Sequence, residues 1–144
     1  MKIVLIVITL VAVAALFIFC KHQQTFTADN LPTLQLRWGT GGGIVGKETT
    51  LTLLENGQIF KQGFKGEATE VGKIKAKVAK SLIKKAETLE LGKREFNHPG
   101  NIYSFLEYQE GDMISRITWG DQAYTADADV QALFDLLNSL LRKE

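Results

Sequence analysis

Four glycines fall within residues 39–43, and Gly46 stands directly ahead of Lys47. Such a run exposes backbone N–H groups to a bound anion, so phosphate chemistry is the first to weigh. Gly41, Gly43 and Gly46 meet the letters of a dinucleotide fingerprint, and residues 41–47 come close to a phosphate-binding loop. Both motifs need a helix to start right after the loop, because its first N–H groups hold the phosphate. Here Glu48 leads into Thr49, Thr50, Leu51, Thr52 and Leu53, which read as a strand. Glu48 also replaces the hydroxyl residue that would ligate magnesium and sets a negative charge beside the phosphates. No nucleotide is expected, and no other cofactor. Two readings remain for the loop: a sharp bend using glycine's access to positive φ, or a long mobile loop tipped by Ile44 and Val45 that meets a partner. On the second reading Gly41, Gly42, Gly43, Ile44, Val45 and Lys47 are the partner-binding candidates.

Catalytic chemistry has few resources. His98 is the only histidine beyond residue 22 and lies in Asn97-His98-Pro99-Gly100, which reads as a turn. The single cysteine is Cys20, so residues 21–144 hold neither a thiol nucleophile nor a thiolate metal site. No serine sits in a Gly-x-Ser-x-Gly elbow. Asp121, Asp127 and Asp129 lack the glycine and terminal glutamate of a calcium loop, and Asp127 and Asp129 suit a helix start. A small hydrolase using carboxylates or histidine would need a pocket gathering His98, Glu107 and Asp121. No enzyme and no metal centre are expected.

Charge points instead to surfaces. Lys73, Lys75, Lys77, Lys80, Lys84 and Lys85 precede the next acid, Glu87. They read as a solvated helix face, or as a surface for anionic lipid or an acidic partner, for which Lys73, Lys77, Lys80 and Lys84 are the candidates. No aromatic residue interleaves with them, so bases would find no stacking platform and nucleic acid is not expected. Residues 61–94 hold ten bases and four acids; residues 95–135 hold eight acids and one base, Arg116.

The elements that must position these groups begin with residues 3–20, an apolar run broken only by Thr9. A helix of that length spans about 27 Å, just under the ~30 Å hydrocarbon core. An uncleaved signal anchor over residues 1–22 fits best. A cleaved signal lacks small residues at its −3 and −1 positions. A lipoprotein signal would lipidate Cys20, but Phe17 and Phe19 take the places of its leucine and its small residue. Positive charge flanks both ends almost equally, and the remainder is expected outside the cytoplasm. Residues 23–32 read as a polar tether and residues 33–144 as one soluble domain. Of the 144 residues 45% are hydrophobic, but beyond residue 20 acids and bases balance at 16 each. That profile excludes a polytopic membrane protein and a disordered tail.

Within the domain, residues 33–38 alternate as a strand. Residues 49–55 and 58–62 make a hairpin across Asn56-Gly57, and a weak strand is expected over 64–71. Residues 73–91 carry Ile74, Val78, Leu82, Ala86 and Leu89 at helical spacing. Residues 101–109 and 113–119 form a second hairpin, ending at Trp119. A closing helix aligns Val130, Leu133, Phe134, Leu137, Leu140 and Leu141, with Arg142 and Lys143 in its last turn. The fold expected is α+β: two antiparallel hairpins making a small sheet, two amphipathic helices packed on it, and a membrane-anchor helix ahead.

This order of parts, with Arg37-x-Gly39 leading into Gly42-Gly43-Ile44-Val45-Gly46, then Asn56-Gly57 and a hairpin ending near Trp119, resembles small bacterial envelope domains. It is also similar to emfourin, an α+β protein inhibitor of thermolysin-like metalloproteases. The resemblance covers residues 33–141 and implies that Gly42, Gly43 and Ile44 are presented to a protein partner. The function expected is a membrane-tethered, extracytoplasmic binding module acting through loop 39–47. The alternative is a structural envelope protein whose lysine helix docks on anionic membrane.

Overall fold

Among the described residues seven strands form one sheet, and two helices cover one of its faces. The computed structural model describes residues 24–141. The anchor read over residues 3–20, Cys20, Arg142 and Lys143 fall outside them. Among the described residues no helix is long and apolar enough to cross a membrane. In chain order the elements are β1 (Gln35–Gly42), β2 (Thr49–Leu53), β3 (Gln58–Gln62), β4 (Thr69–Lys73), α1 (Ala76–Thr88), a 3-10 turn (Leu91–Lys93), β5 (Phe96–His98), β6 (Ile102–Glu110), β7 (Met113–Trp119) and α2 (Ala128–Ser139).

The α+β class holds, but two separate hairpins do not. The sheet order is β4-β3-β2-β1-β6-β7-β5, with β1 and β6 paired antiparallel at the centre from Gln35↔Gln109 to Gly42↔Ile102. This central pairing fuses the two hairpin units. The sheet is mixed because β5 lies outside β7 and runs parallel to it, pairing Phe96 with Ile117 and His98 with Trp119. The turn read at residues 97–100 therefore starts two residues later, after His98. The fourth strand covers residues 69–73 rather than 64–71, with a register shift against β3 between Ile59 and Phe60.

Alternation along the strands assigns each side chain to a face. Leu36, Trp38, Leu51, Leu53, Ile59, Leu106, Tyr108 and Ile117 point to the helices and meet Ala79, Leu82, Ile83 and Ala86 of α1 and Val130, Leu133, Phe134 and Leu137 of α2. Trp38 Nε1 donates to Asn138 at 3.1 Å, and the Trp119 and Phe134 rings meet edge to face at 5.1 Å. Helix α1 begins at Ala76, three residues later than its apolar spacing suggests. Ile74 is spent on the strand side, its N–H bonded to the Gly57 carbonyl at 2.9 Å. Ile83 then takes the buried place expected of Val78, which is exposed.

Candidate functional site

Among the described residues no helix lies over the opposite face of the sheet. That face carries Arg37 on β1, Glu107 and Phe105 on β6, Arg116 on β7, and Thr50 and Thr52 on β2, with Glu48 just ahead of β2. Register sets Arg37 across from Glu107, and Glu107 across from Arg116. Arg37 Nη1 donates to Glu107 at 2.8 Å, and Arg116 Nη1 stands 3.7 Å from the other oxygen of the same carboxylate. Arg116 also grips Glu48 with both amino groups, at 2.6 and 3.2 Å, while its guanidinium lies over the Phe105 ring, 3.7 Å from the centroid. Tyr103 Oη donates to Glu48 at 2.8 Å. At the other end Arg37 Nε donates to Gln35, whose amide donates in turn to the Pro32 carbonyl at 2.6 Å. A continuous polar network thus crosses the open face, from the incoming segment at Pro32 to Tyr103.

Burial alone would raise the Glu48 carboxyl. Hydrogen bonds from Arg116 and Tyr103, together with the Arg116 charge, outweigh it and hold the group below its ordinary value. The Tyr103 hydroxyl is pushed up, first by its bond to that carboxylate and then by burial. Residues Leu31, Arg37, Glu48, Gln62, Ala68 and Arg116 are among those lining a hollow of about 250 Å³ here. A broader trough of about 630 Å³ runs along the β7 margin and shares Arg116 with it. In the smaller hollow Arg37, Glu48, Glu107 and Arg116 pair with one another; in the trough Arg94 pairs with Asp127 and Lys93 with Glu90.

The network ends at the foot of the glycine loop, and this changes how the loop reads. Gly39 and Gly41 belong to β1, facing the open side beneath aromatic rings. A Cβ on Gly41 would meet the Tyr103 ring at 2.5 Å, and one on Gly39 would meet the Thr49 carbonyl oxygen at 1.9 Å and the Phe105 ring at 3.0 Å. The loop proper is the turn at residues 43–46, closed by Gly46 N–H to the Gly43 carbonyl at 3.0 Å. Gly42 N–H bonds to the Lys47 carbonyl at 3.2 Å and Gly43 N–H to that of Asn101 at 2.7 Å. Gly42, Gly43 and Gly46 all have positive φ, which glycine adopts without strain. The stretch read as a long loop over residues 39–47 is thus strand as far as Gly42 and a short, hydrogen-bonded tip beyond it. Ile44 stands fully exposed on it and Val45 is 65% exposed, while Ile102, paired with Gly42, is 68% exposed. Lys47 is exposed at its base. Gly42, Gly43, Ile44, Val45 and Lys47 thus lie together at the tip, whereas Gly41 is covered by Tyr103.

Elsewhere, Lys73 lies exposed on β4, and Lys77, Lys80 and Lys84 lie exposed on α1, where Lys84 donates to Glu87 at 2.8 Å. His98 stacks on Tyr124 with centroids 3.7 Å apart and meets Phe96 edge to face. Its partner across the strands is Trp119, on the helix side of the sheet, whereas Glu107 is on the open side. Asp121 approaches His98 only through the backbone, its N–H bonding to the His98 carbonyl at 3.1 Å. The three residues a carboxylate and histidine hydrolase would need are not brought into one pocket.

The open-face network escaped sequence reading, although its signal was present. Arg37, Glu107 and Arg116 each occupy a polar slot in an alternating strand, and Arg116 is the lone base in its acidic stretch. The sequence matches no family model, and no curated protein matches it.

Proposed function

We propose that this protein is a non-enzymatic binding module, held at a membrane by residues 3–20 on the extracytoplasmic side, that captures a protein partner with the tip at residues 43–46. The observation that carries the reading is Ile44, a large apolar side chain fully exposed on a turn fixed by three backbone hydrogen bonds. Exposed apolar side chains are common singly; Ile44, Val45 and Ile102 at one end of a sheet form a small patch with contact value. A preformed turn loses little conformational entropy on binding, which favours affinity from a small area. The Tyr103, Glu48 and Arg116 network supports it by bracing the base of the turn. Capture resembling that of a protease inhibitor is the form suggested by the similarity to emfourin.

Replacing Ile44 by Asp tests the reading. Position 44 touches no core residue, so the urea midpoint should stay unchanged while partner recovery by the detergent-solubilised full chain falls at least tenfold, about 1.4 kcal/mol. Undiminished recovery with Ile44→Asp would remove the tip from the function.

A further inference from the structure

Residues 24–26, which follow the apolar run closely, are clamped to the domain. The Gln58 side chain is fully buried in the body of the fold. Its oxygen accepts the Phe26 N–H at 2.8 Å, and its amide nitrogen donates to the Phe26 carbonyl at 3.1 Å and to Glu70 at 2.9 Å. Asn56 donates to the Gln24 carbonyl at 2.7 Å. The amide of Gln58 thus imitates a strand neighbour for Phe26 and ties it to the turn at residues 54–58.

That clamp fixes how far the domain can stand from the end of the apolar run. From Cys20 to Phe26 a chain spans at most about 21 Å when fully extended. The headgroup layer takes roughly 6 Å of this. Whatever lies beside Phe26 is therefore held close to the lipid surface, within one to two Debye lengths of ~8 Å.

Lysines lie beside Phe26. Lys73 pairs with Gln58 across the strands. Lys80 lines one hollow with Gln24, Phe26 and Asn56. Lys75 and Lys77, exposed, lie between them at the start of α1, where no acid occupies the first turn and Lys75 makes no side-chain cap. Positive charge at a helix start opposes the helix dipole, so this placement brings no stability to the fold. The acids at this end are Asp29, exposed three residues after Phe26, Glu55, exposed on the turn, Glu70, engaged by Gln58, and Glu110 and Asp112 of the β6–β7 turn, beyond β2 and β1 along the same sheet end. The apolar tip lies at the far end of the sheet, because β1 runs from Leu36, paired with Leu53 beside the clamp, to Gly42, about 20 Å away.

We propose that the clamped end of the domain sits on the anionic headgroups of the bilayer that residues 3–20 enter, with Lys73, Lys75, Lys77 and Lys80 against the lipid, and that this holds the Ile44 tip away from the membrane. The proposal rests on the membrane reading of residues 3–20 and adds to it an orientation and a lipid charge. Each lysine near such a surface strengthens contact about fivefold, an effect that salt screens.

The test uses the full chain with Cys20→Ser, reconstituted into phosphatidylcholine vesicles with or without phosphatidylglycerol. A fluorophore is placed through Ser81→Cys on the exposed side of α1, or through Val45→Cys at the tip, and headgroup-linked quenchers report proximity. Quenching at position 81 is expected to rise several-fold with phosphatidylglycerol and to fall back in high salt, while position 45 stays unquenched. Changing the four surface lysines to glutamine should abolish the rise without unfolding the domain. Equal quenching at both positions, or quenching at 81 indifferent to lipid charge, overturns the orientation. Release of the chain by alkaline carbonate overturns the membrane reading and the orientation with it. Partner capture is measured in detergent without a bilayer, so its failure is separate from either result.

Discussion

Arg116 answers two carboxylates and an aromatic ring at once, and this makes Glu48 the most informative single residue on the open face. About a third of each side chain in the Arg116 and Glu48 pair remains exposed, so its worth lies between that of a surface pair and a buried one. Replacing Glu48 by Gln should cost about 1–3 kcal/mol at neutral pH. The pH dependence gives a sharper reading. The Glu48 carboxyl lies below its ordinary value in the folded protein, so in the acid range the unfolded chain binds the extra proton. The stabilisation is complete above the ordinary carboxylate value and is lost as pH falls through the depressed one. Urea midpoints followed from about pH 6 to about pH 3 should fall less steeply in Glu48→Gln than in the parent chain. Parallel curves would mean that the carboxylate is not held by Arg116 in solution.

Strand β1 shows what could be read at the level of elements. The Asn56-Gly57 hairpin was legible because its left-handed Gly57, φ 91°, is a local demand written in adjacent letters. The second hairpin and the leucine stripe of α2 were legible for the same reason, since their periods are local. The extension of β1 through residues 39–42 was not, because glycine disfavours strands and the compensation comes from Phe105 and Tyr103, over 60 residues away. Aromatic rings laid across from strand glycines restore the packing those glycines lack. Strand β5 was hidden likewise, having three residues and one parallel neighbour. The two glycines should differ. Gly39→Ala drives a Cβ into a backbone oxygen that the ladder cannot move, and belongs at or above the top of the roughly 1–3 kcal/mol overpacking range. Gly41→Ala meets only the Tyr103 ring, which can swing aside, so it should cost about 1 kcal/mol and release the hydroxyl from Glu48. In a Tyr103→Ala background the Gly41→Ala penalty should shrink and the Gly39→Ala penalty persist, as a double-mutant cycle in urea would measure. Equal penalties in both backgrounds would contradict the ring contact.

At the scale of the whole molecule, the central pairing of β1 with β6 decides how the domain behaves as a unit. Residues 35–88 supply β1–β4 and α1, and residues 96–139 supply β5–β7 and α2, so each part has strands and a helix of its own. That division suggests two small folding units, but the contacts oppose it. Trp38, from the first part, is fully buried and bonds to Asn138 of α2 in the second, and Ala79, Leu82, Ile83 and Ala86 of α1 share one core with Val130, Leu133, Phe134 and Leu137 of α2. Removing the second part would strip β1 of its partner strand along all eight of its residues and leave an apolar edge there. The domain should therefore unfold in one step, and the two tryptophans, one in each part, are natural probes of this. In Trp119→Phe, fluorescence reports Trp38; in Trp38→Phe it reports Trp119. Within each variant the fluorescence transition in urea should coincide with the loss of far-ultraviolet circular dichroism, as two-state unfolding requires. Trp38→Phe should be the less stable of the two, because it leaves the Asn138 amide facing the core without its indole donor. A Trp119 transition that precedes the loss of circular dichroism would show β7 and α2 opening while β1–β4 remain folded. The network from Pro32 to Tyr103 would then be breakable at Arg116 without loss of the rest of the sheet.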